Sequence, residues 1–199
     1  VWKETYGNEN IIVGIIDSGI DITSSDLQSV IYHNDQEISN NQVDDVVNAI
    51  KYGYNKGIRL FNCSWDMEVY SEKLYTIMKE CSDAIFVCSG GKNSSNVDVQ
   101  HVYPACFELP NAICVGGLGI NGKIYEFSGY GEKIDIYAPA EKVYCLMPED
   151  TYTYSEGVSI SVAYVTGTIA REFDTLKSKK VPQSLEIGLF FCQIFIFII

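Results

Sequence analysis

The stretch Ile11-Ile12-Val13-Gly14-Ile15-Ile16, closed by Asp17-Ser18-Gly19, limits the possible folds more than any other part of the chain. A continuous β-branched run has no polar face to turn to water. It suits a strand covered on both sides, as in a parallel sheet held between helices, and not an alternating strand of a half-exposed sheet. Asp17 then stands at the carboxyl end of the strand. Open α/β sheets carry their chemistry at that edge, and an acid there serves either a reaction or the turn that follows.

The next segments keep the same alternation. Val43, Val46, Val47, Ile50 and Tyr54 recur at helical spacing, with Asp44 and Asp45 in the first turn and Gly57 as the stop. Ile58 to Ser64 reads as a second strand, ending at Ser64-Trp65-Asp66. A helix opening at Ser71, with Leu74, Ile77, Met78 and Cys81 on one face, leads to a strand from Ala84 to Cys88 and then to Ser89-Gly90-Gly91. With 199 residues, 47% hydrophobic and 20% charged, the chain has the length and composition for one globular α/β domain with a sizeable core. It has no initiator Met, as expected of a fragment or processed product.

Residues 157–167, Gly-Val-Ser-Ile-Ser-Val-Ala-Tyr-Val-Thr-Gly, read as a small-residue loop feeding into a buried helix with Ser159 at its mouth. Ser159 is either a helix N-cap or a nucleophile. In the second role it gains from the unpaired N–H groups and positive partial charge of a helix start, which stabilise an oxyanion formed beside it.

Residues 157–167 resemble the nucleophile motif of the subtilisin-like serine peptidases (subtilases), Gly-Thr-Ser-Met-Ala followed by Val-Ala-Gly, matched here at Gly157, Ser159, Val165 and Gly167. Val158, Ser161 and Ala163-Tyr164 depart from it, standing where the family has Thr, Ala and Pro-His. Ile16 to Asp21, followed by Asp26-Leu27, is similar to the motif that carries the catalytic aspartate, with Ser25 in place of a His. Tyr103-Pro104-Ala105, Ile113 to Gly117, Phe127 to Gly131 and Asp135 to Pro139 follow in family order. The resemblance implies a three-layer subtilisin-like fold over residues 1–186, with Asp17 as the acid that orients a histidine and Ser159 as the nucleophile. It also implies a substrate groove at Ser64, Trp65, Asp66, Ser89, Gly90 and Gly91. The family's oxyanion-hole Asn has no counterpart in register: Gly91 takes its place, and Asn93 reaches it only across an insertion of two residues.

In the family, a strand and a helix opening with His-Gly-Thr-His follow the aspartate segment. Here Gln28 to Gln42 is polar instead, holding His33 between Tyr32 and Asn34, so a strand and helix are expected to be missing after residue 28. The other histidine, His101, stands before Tyr103-Pro104 and also lacks the motif. The expected function is that of a subtilisin-like endopeptidase domain, hydrolysing peptide bonds through an acyl-enzyme but impaired for want of a base. The alternatives are a non-catalytic peptide-binding domain and a degenerate gene product. The partner is a polypeptide substrate or a bound extended peptide.

A net charge of −12 disfavours nucleic acid and anionic membranes as partners. No metal or organic cofactor is expected. The seven cysteines show no Cys-x-x-Cys spacing, and those inside apolar runs read as reduced core residues, which favours a cytoplasmic setting, as does the lack of a visible signal peptide; the family itself is often secreted. Residues 187–199 form an apolar tail too short to span a membrane as a helix. They read as an aggregation-prone strand and are expected to lie outside the native core.

Overall fold

The computed structural model describes residues 11–32, 42–177 and 193–198. Among these, seven strands form one sheet in which every pairing is parallel. They are β1 (Ile12–Asp17), β2 (Ile31–Tyr32), β3 (Leu60–Cys63), β4 (Ile85–Ser89), β5 (Ala112–Leu118), β6 (Ile136–Pro139) and β9 (Gln193–Ile198), laid out in the order β2-β9-β1-β3-β4-β5-β6. A separate antiparallel hairpin, β7 (Val143–Met147) with β8 (Thr151–Ser155), leads into the long helix α3 (Val158–Lys177). Helices α1 (Gln42–Asn55) and α2 (Glu72–Glu80) complete the α/β pattern expected from the sequence.

The sheet divides two cores by simple side-chain alternation. Ile16, Phe61, Cys63, Phe86 and Cys88 join Val46, Ala49 and Ile50 of α1 and Leu74 and Met78 of α2. Val13, Leu60, Val87, Val115 and Ala138 turn the other way and pack on Val162, Val165 and Ala170 of α3. Both faces of the central strands are therefore apolar, which accounts for the unbroken β-branched runs. Phe61 stacks on Phe86 with ring centroids 5.0 Å apart, and both are fully buried. Each such ring contributes about 1.5–3 kcal/mol of transfer free energy. Gly14 makes room for the stack, since a Cβ there would come within 2.8 Å of the Phe61 ring.

Helix α2 starts as its sequence dictates. Ser71 caps it, its side chain accepting from the Leu74 N–H at 3.3 Å.

The structure departs from expectation at the chain's far end. Residues 187–199 were expected outside the native core, yet Gln193–Ile198 pairs in parallel with β1 along its whole length, from Ile12↔Gln193 to Asp17↔Ile198. The same lack of charge and the same β propensity that read as an aggregation hazard also suit a strand filling the open edge of β1. A strand from the far end of the chain thus lies between β1 and β2, on the side of β1 away from β3. Of the polar junction at 28–42, residues 33–41 lie outside the described residues, as does His33.

Candidate active site

Parallel pairing brings Asp17 and Ser64 to the same edge. Ile15 of β1 lies opposite Asn62 of β3, so two residues further on Asp17 and Ser64 leave the sheet side by side at its carboxyl end. A cleft of ≈ 350 Å³ opens there, walled by Asp17, Ser18, Ser64, Trp65, Asp66 and Met67, with Val43, Val46 and Leu74 from the two helices behind. Asp17 is half-buried, and its Oδ1 accepts from the Ser18 N–H at 2.7 Å and the Ser18 hydroxyl at 3.4 Å. Trp65 closes one side, its indole Nε1 buried without a hydrogen-bond partner.

Ser159 is the second residue of α3 and is exposed. Gly157 sets up the helix entry: at φ +141° it turns the chain in a conformation that side-chain-bearing residues rarely adopt, and its N–H bonds to the Ala140 carbonyl at 2.8 Å. The Ser64 hydroxyl donates to the Ser159 carbonyl at 3.2 Å. It is itself held by the Asn62 side-chain amide at 2.7 Å, while Asn62 Oδ1 accepts from Thr166 Oγ1 at 3.0 Å. One polar chain thus runs from the middle of α3 through β3 to the nucleophile candidate, with Ser64 shared between it and the Asp17 cleft. Sequence reading singled out Asp17, Ser64 and Ser159, matched Asn62 only as part of the strand-end motif and not for a buried bond to the helix, and missed Thr166. The signal was a polar pair at otherwise apolar positions of a central strand and a buried helix face.

A second linkage holds the loop after β1 against the β7–β8 hairpin. Asp150 accepts from the Ser24 hydroxyl at 2.7 Å and the Ser25 N–H at 2.9 Å, and Asp21 accepts from the Glu149 N–H at 3.0 Å. Both carboxyls sit below the usual carboxylate range, Asp150 chiefly through the Ser24 hydroxyl and Asp21 chiefly through that of Thr23. The segment leaving Asp17 and the segment leading to Ser159 are tied together in this way.

The Ser89-Gly90-Gly91 segment is buried, and much of its backbone is engaged internally. Gly90 N–H bonds to Val115 O at 2.8 Å, Gly91 N–H to Ser89 Oγ at 3.3 Å, and Gly129 N–H to Gly91 O at 3.0 Å. Its described contacts are those of a framework beneath the surface. Asn93, in the exposed loop beyond, has a left-handed backbone at φ +65°, and its neighbour Ser94 bonds to the Glu126 carbonyl. His101 is exposed; its Nε2 lies 3.2 Å from the Asp98 carbonyl and its Nδ1 3.5 Å from the Tyr103 hydroxyl.

A family model described as the subtilase family matches residues 37–185, a span that includes Ser159 and starts after Asp17. A subtilisin-like protease 2 of Plasmodium falciparum is 25% identical over 136 residues, covering 64% of this chain and 10% of the relative. Subtilisin DY of Bacillus licheniformis is 27% identical over 146 residues, covering 70% of this chain and 53% of the relative. The chain therefore spans about half of the bacterial relative and a tenth of the parasite one. Among solved structures, the prenylagaramide maturation protease PagA superposes with a TM-score of 0.75 at 18% identity, covering 91% of this chain and 81% of that one. The nisin leader peptidase NisP of Lactococcus lactis superposes with a TM-score of 0.74 at 17% identity, covering 88% and 81% respectively.

Proposed function

Since the chain belongs to the subtilase family, we propose that it is a peptide-binding peptidase domain in which Asp17 and Ser159 keep the acid and nucleophile positions while the hydrolytic step is severely impaired. One observation carries the reading. Both ring nitrogens of His101 are turned to Asp98 and Tyr103, and the Asp17 carboxylate is engaged with Ser18. Among the described residues no imidazole stands between acid and serine. A serine hydroxyl attacks a carbonyl only as a base removes its proton, and Asp17 can orient a histidine but not replace it. In subtilisin itself, loss of the histidine costs on the order of 10⁶ in kcat.

The peptide enters along Ser64, Trp65 and Asp66, beside the Asp17 cleft. An extended polypeptide is the natural occupant of an edge built this way. The nisin leader peptidase acts, by its name, on a leader peptide, and a peptide of that kind is the corresponding ligand class here. The unpartnered Trp65 Nε1 beside the cleft favours a second reading, retention of the groove for binding alone.

A fluorophosphonate probe, which labels serines activated by a base, tests the proposal. We expect no labelling of Ser159, and cleavage of casein no faster by the wild type than by Ser159→Ala. Strong labelling that Ser159→Ala abolishes would overturn the impaired reading and direct attention to His33 or His101 as the base.

A further inference from the structure

The hairpin of β7 and β8 carries a group of aromatic side chains that the fold does not use. Its register sets Tyr144 opposite Tyr154 and Leu146 opposite Tyr152, so alternation sends these four side chains to one face, while Val143 and Ser155 turn to the other, where Val143 is buried. The rings form one layer. Tyr144 stacks on Tyr152 with centroids 5.6 Å apart and planes 19° apart, and it meets Tyr154 at 5.3 Å. Tyr144, Tyr152 and Tyr154 remain 63%, 43% and 69% exposed, and none of the four side chains belongs to either core. A single exposed ring is ordinary. Three that touch one another and no core residue make the kind of patch that a partner covers.

The charge around the layer selects its occupant. Residues 141–156 hold Glu141, Glu149, Asp150 and Glu156, with Lys142 as the one cation. The loop after β1 adds two more carboxylates: the Tyr152 hydroxyl donates to the exposed Asp26, and Asp21 accepts from the Glu149 N–H at 3.0 Å. On a chain of net charge −12, such a rim repels anionic lipid, and a second copy would bring the same carboxylates against themselves across a two-fold axis. A cationic partner is attracted. Arginine fits best, because its planar guanidinium lies flat on a tyrosine ring and still reaches a carboxylate beside it. Side chains on one face of an extended peptide recur every ~6.6 Å, close to the spacing of the rings.

We propose that the face formed by Tyr144, Tyr152 and Tyr154 is a docking surface, outside the Asp17 cleft, for an extended polypeptide segment with arginines at alternate positions. Successive guanidinium groups stack on successive rings, and Asp26, beside Tyr152, pairs with one of them. β8 runs on through Gly157 into α3, so the docking surface and Ser159 are carried by one continuous segment. The surface stands whether or not Ser159 is a working nucleophile.

A fluorescein-labelled peptide of three arginines alternating with serines, titrated with the full chain and followed by anisotropy, tests the proposal. Saturable binding that weakens with added salt is expected, and none by the same peptide with citrulline, which keeps the shape without the charge. Tyr144→Ser combined with Tyr154→Ser should weaken binding about tenfold. That double variant leaves the net charge unchanged, so a general attraction of cations to an acidic chain would survive in it. A benzophenone carried by the peptide should crosslink to residues 144–154 of the wild type, and this map decides the matter even where the double variant fails to fold. No binding by the wild type, undiminished binding by a folded double variant, or crosslinks confined to Ser64–Met67 of the cleft would each overturn the proposal. So would a face that instead holds phosphatidylglycerol vesicles or a second copy of the chain, seen as vesicle sedimentation or dimerisation that the double variant abolishes.

Discussion

Thr166 Oγ1 and Asn62 Oδ1, 104 residues apart in the chain, meet at 3.0 Å in the buried seam between α3 and the sheet. Asn62 passes the connection to Ser64, and Ser64 to the backbone of Ser159. The backbone at Ser159, the proposed nucleophile, is therefore held from inside the core and not by its own loop alone.

Breaking this connection should cost stability. Thr166→Val keeps the shape but leaves Asn62 Oδ1 without its donor, and a buried unsatisfied acceptor costs about 1–3 kcal/mol. The urea midpoint should fall with no change in slope. An unchanged midpoint would show that water takes over the bond.

Gly129 faces a harder constraint, since a Cβ there would sit 2.0 Å from the Gly90 carbonyl oxygen. No rotamer relieves a clash between a Cβ and backbone, so Gly129→Ala has to separate the two segments. A loss of about 3 kcal/mol is expected, measured by thermal melting. Gly122→Ala is the control for a glycine whose added Cβ meets nothing within 4 Å, although its φ of +72° still carries a small strain.

Truncation after Glu186 removes β9 and uncovers the edge of β1. Several backbone hydrogen bonds are lost at ~1 kcal/mol each, which corresponds to a fall in Tm on the order of 10 °C, and the bared edge should promote aggregation. A truncated chain that melts at the same temperature and stays monomeric would show that β9 adds nothing to the fold.

Asp98 makes stability dependent on pH. Its carboxyl accepts the N–H groups of Glu132 at 2.8 Å and Lys133 at 2.9 Å, and these hold it below the usual carboxylate range. A depressed folded value means that the contribution is fully present above the unfolded pKa of ~3.9. It is lost as pH falls from there towards the folded value. Asp98→Asn should therefore flatten the acid limb of a Tm-against-pH curve and leave its shape near neutrality unchanged. An acid limb identical to that of the wild type would refute the assignment.

The main elements of the fold could be read from the chain because they depend on local pattern. The β-branched run at Ile11–Ile16, the valine spacing of α1 and the Ser71 cap each specify their element without help from distant residues. Ser64 and Ser159 could be singled out by motif, but the reason they meet could not, because Asn62 and Thr166 look like isolated polar residues until the sheet and helix are packed. The tail is a related case. An uncharged β-prone segment is equally suited to aggregation and to native pairing, and only the unfilled edge of β1 distinguishes the two. The backbone bonds of Gly90 and Gly91 to Val115 and Gly129 are likewise contacts that no local spacing reveals.

The place of β9 in the sheet also has a consequence for how the chain is made. β1 leaves the ribosome before, and β9 after, every other strand of the described sheet, yet the two are direct neighbours. During synthesis β1 can pair with β3 on one side while its other side stays open until translation has passed residue 198. At ~5–20 residues per second, that interval lasts on the order of ten seconds. Throughout it, the nascent chain carries an unfilled β-edge beside Asp17, and this makes it a natural client for chaperones that shield such edges.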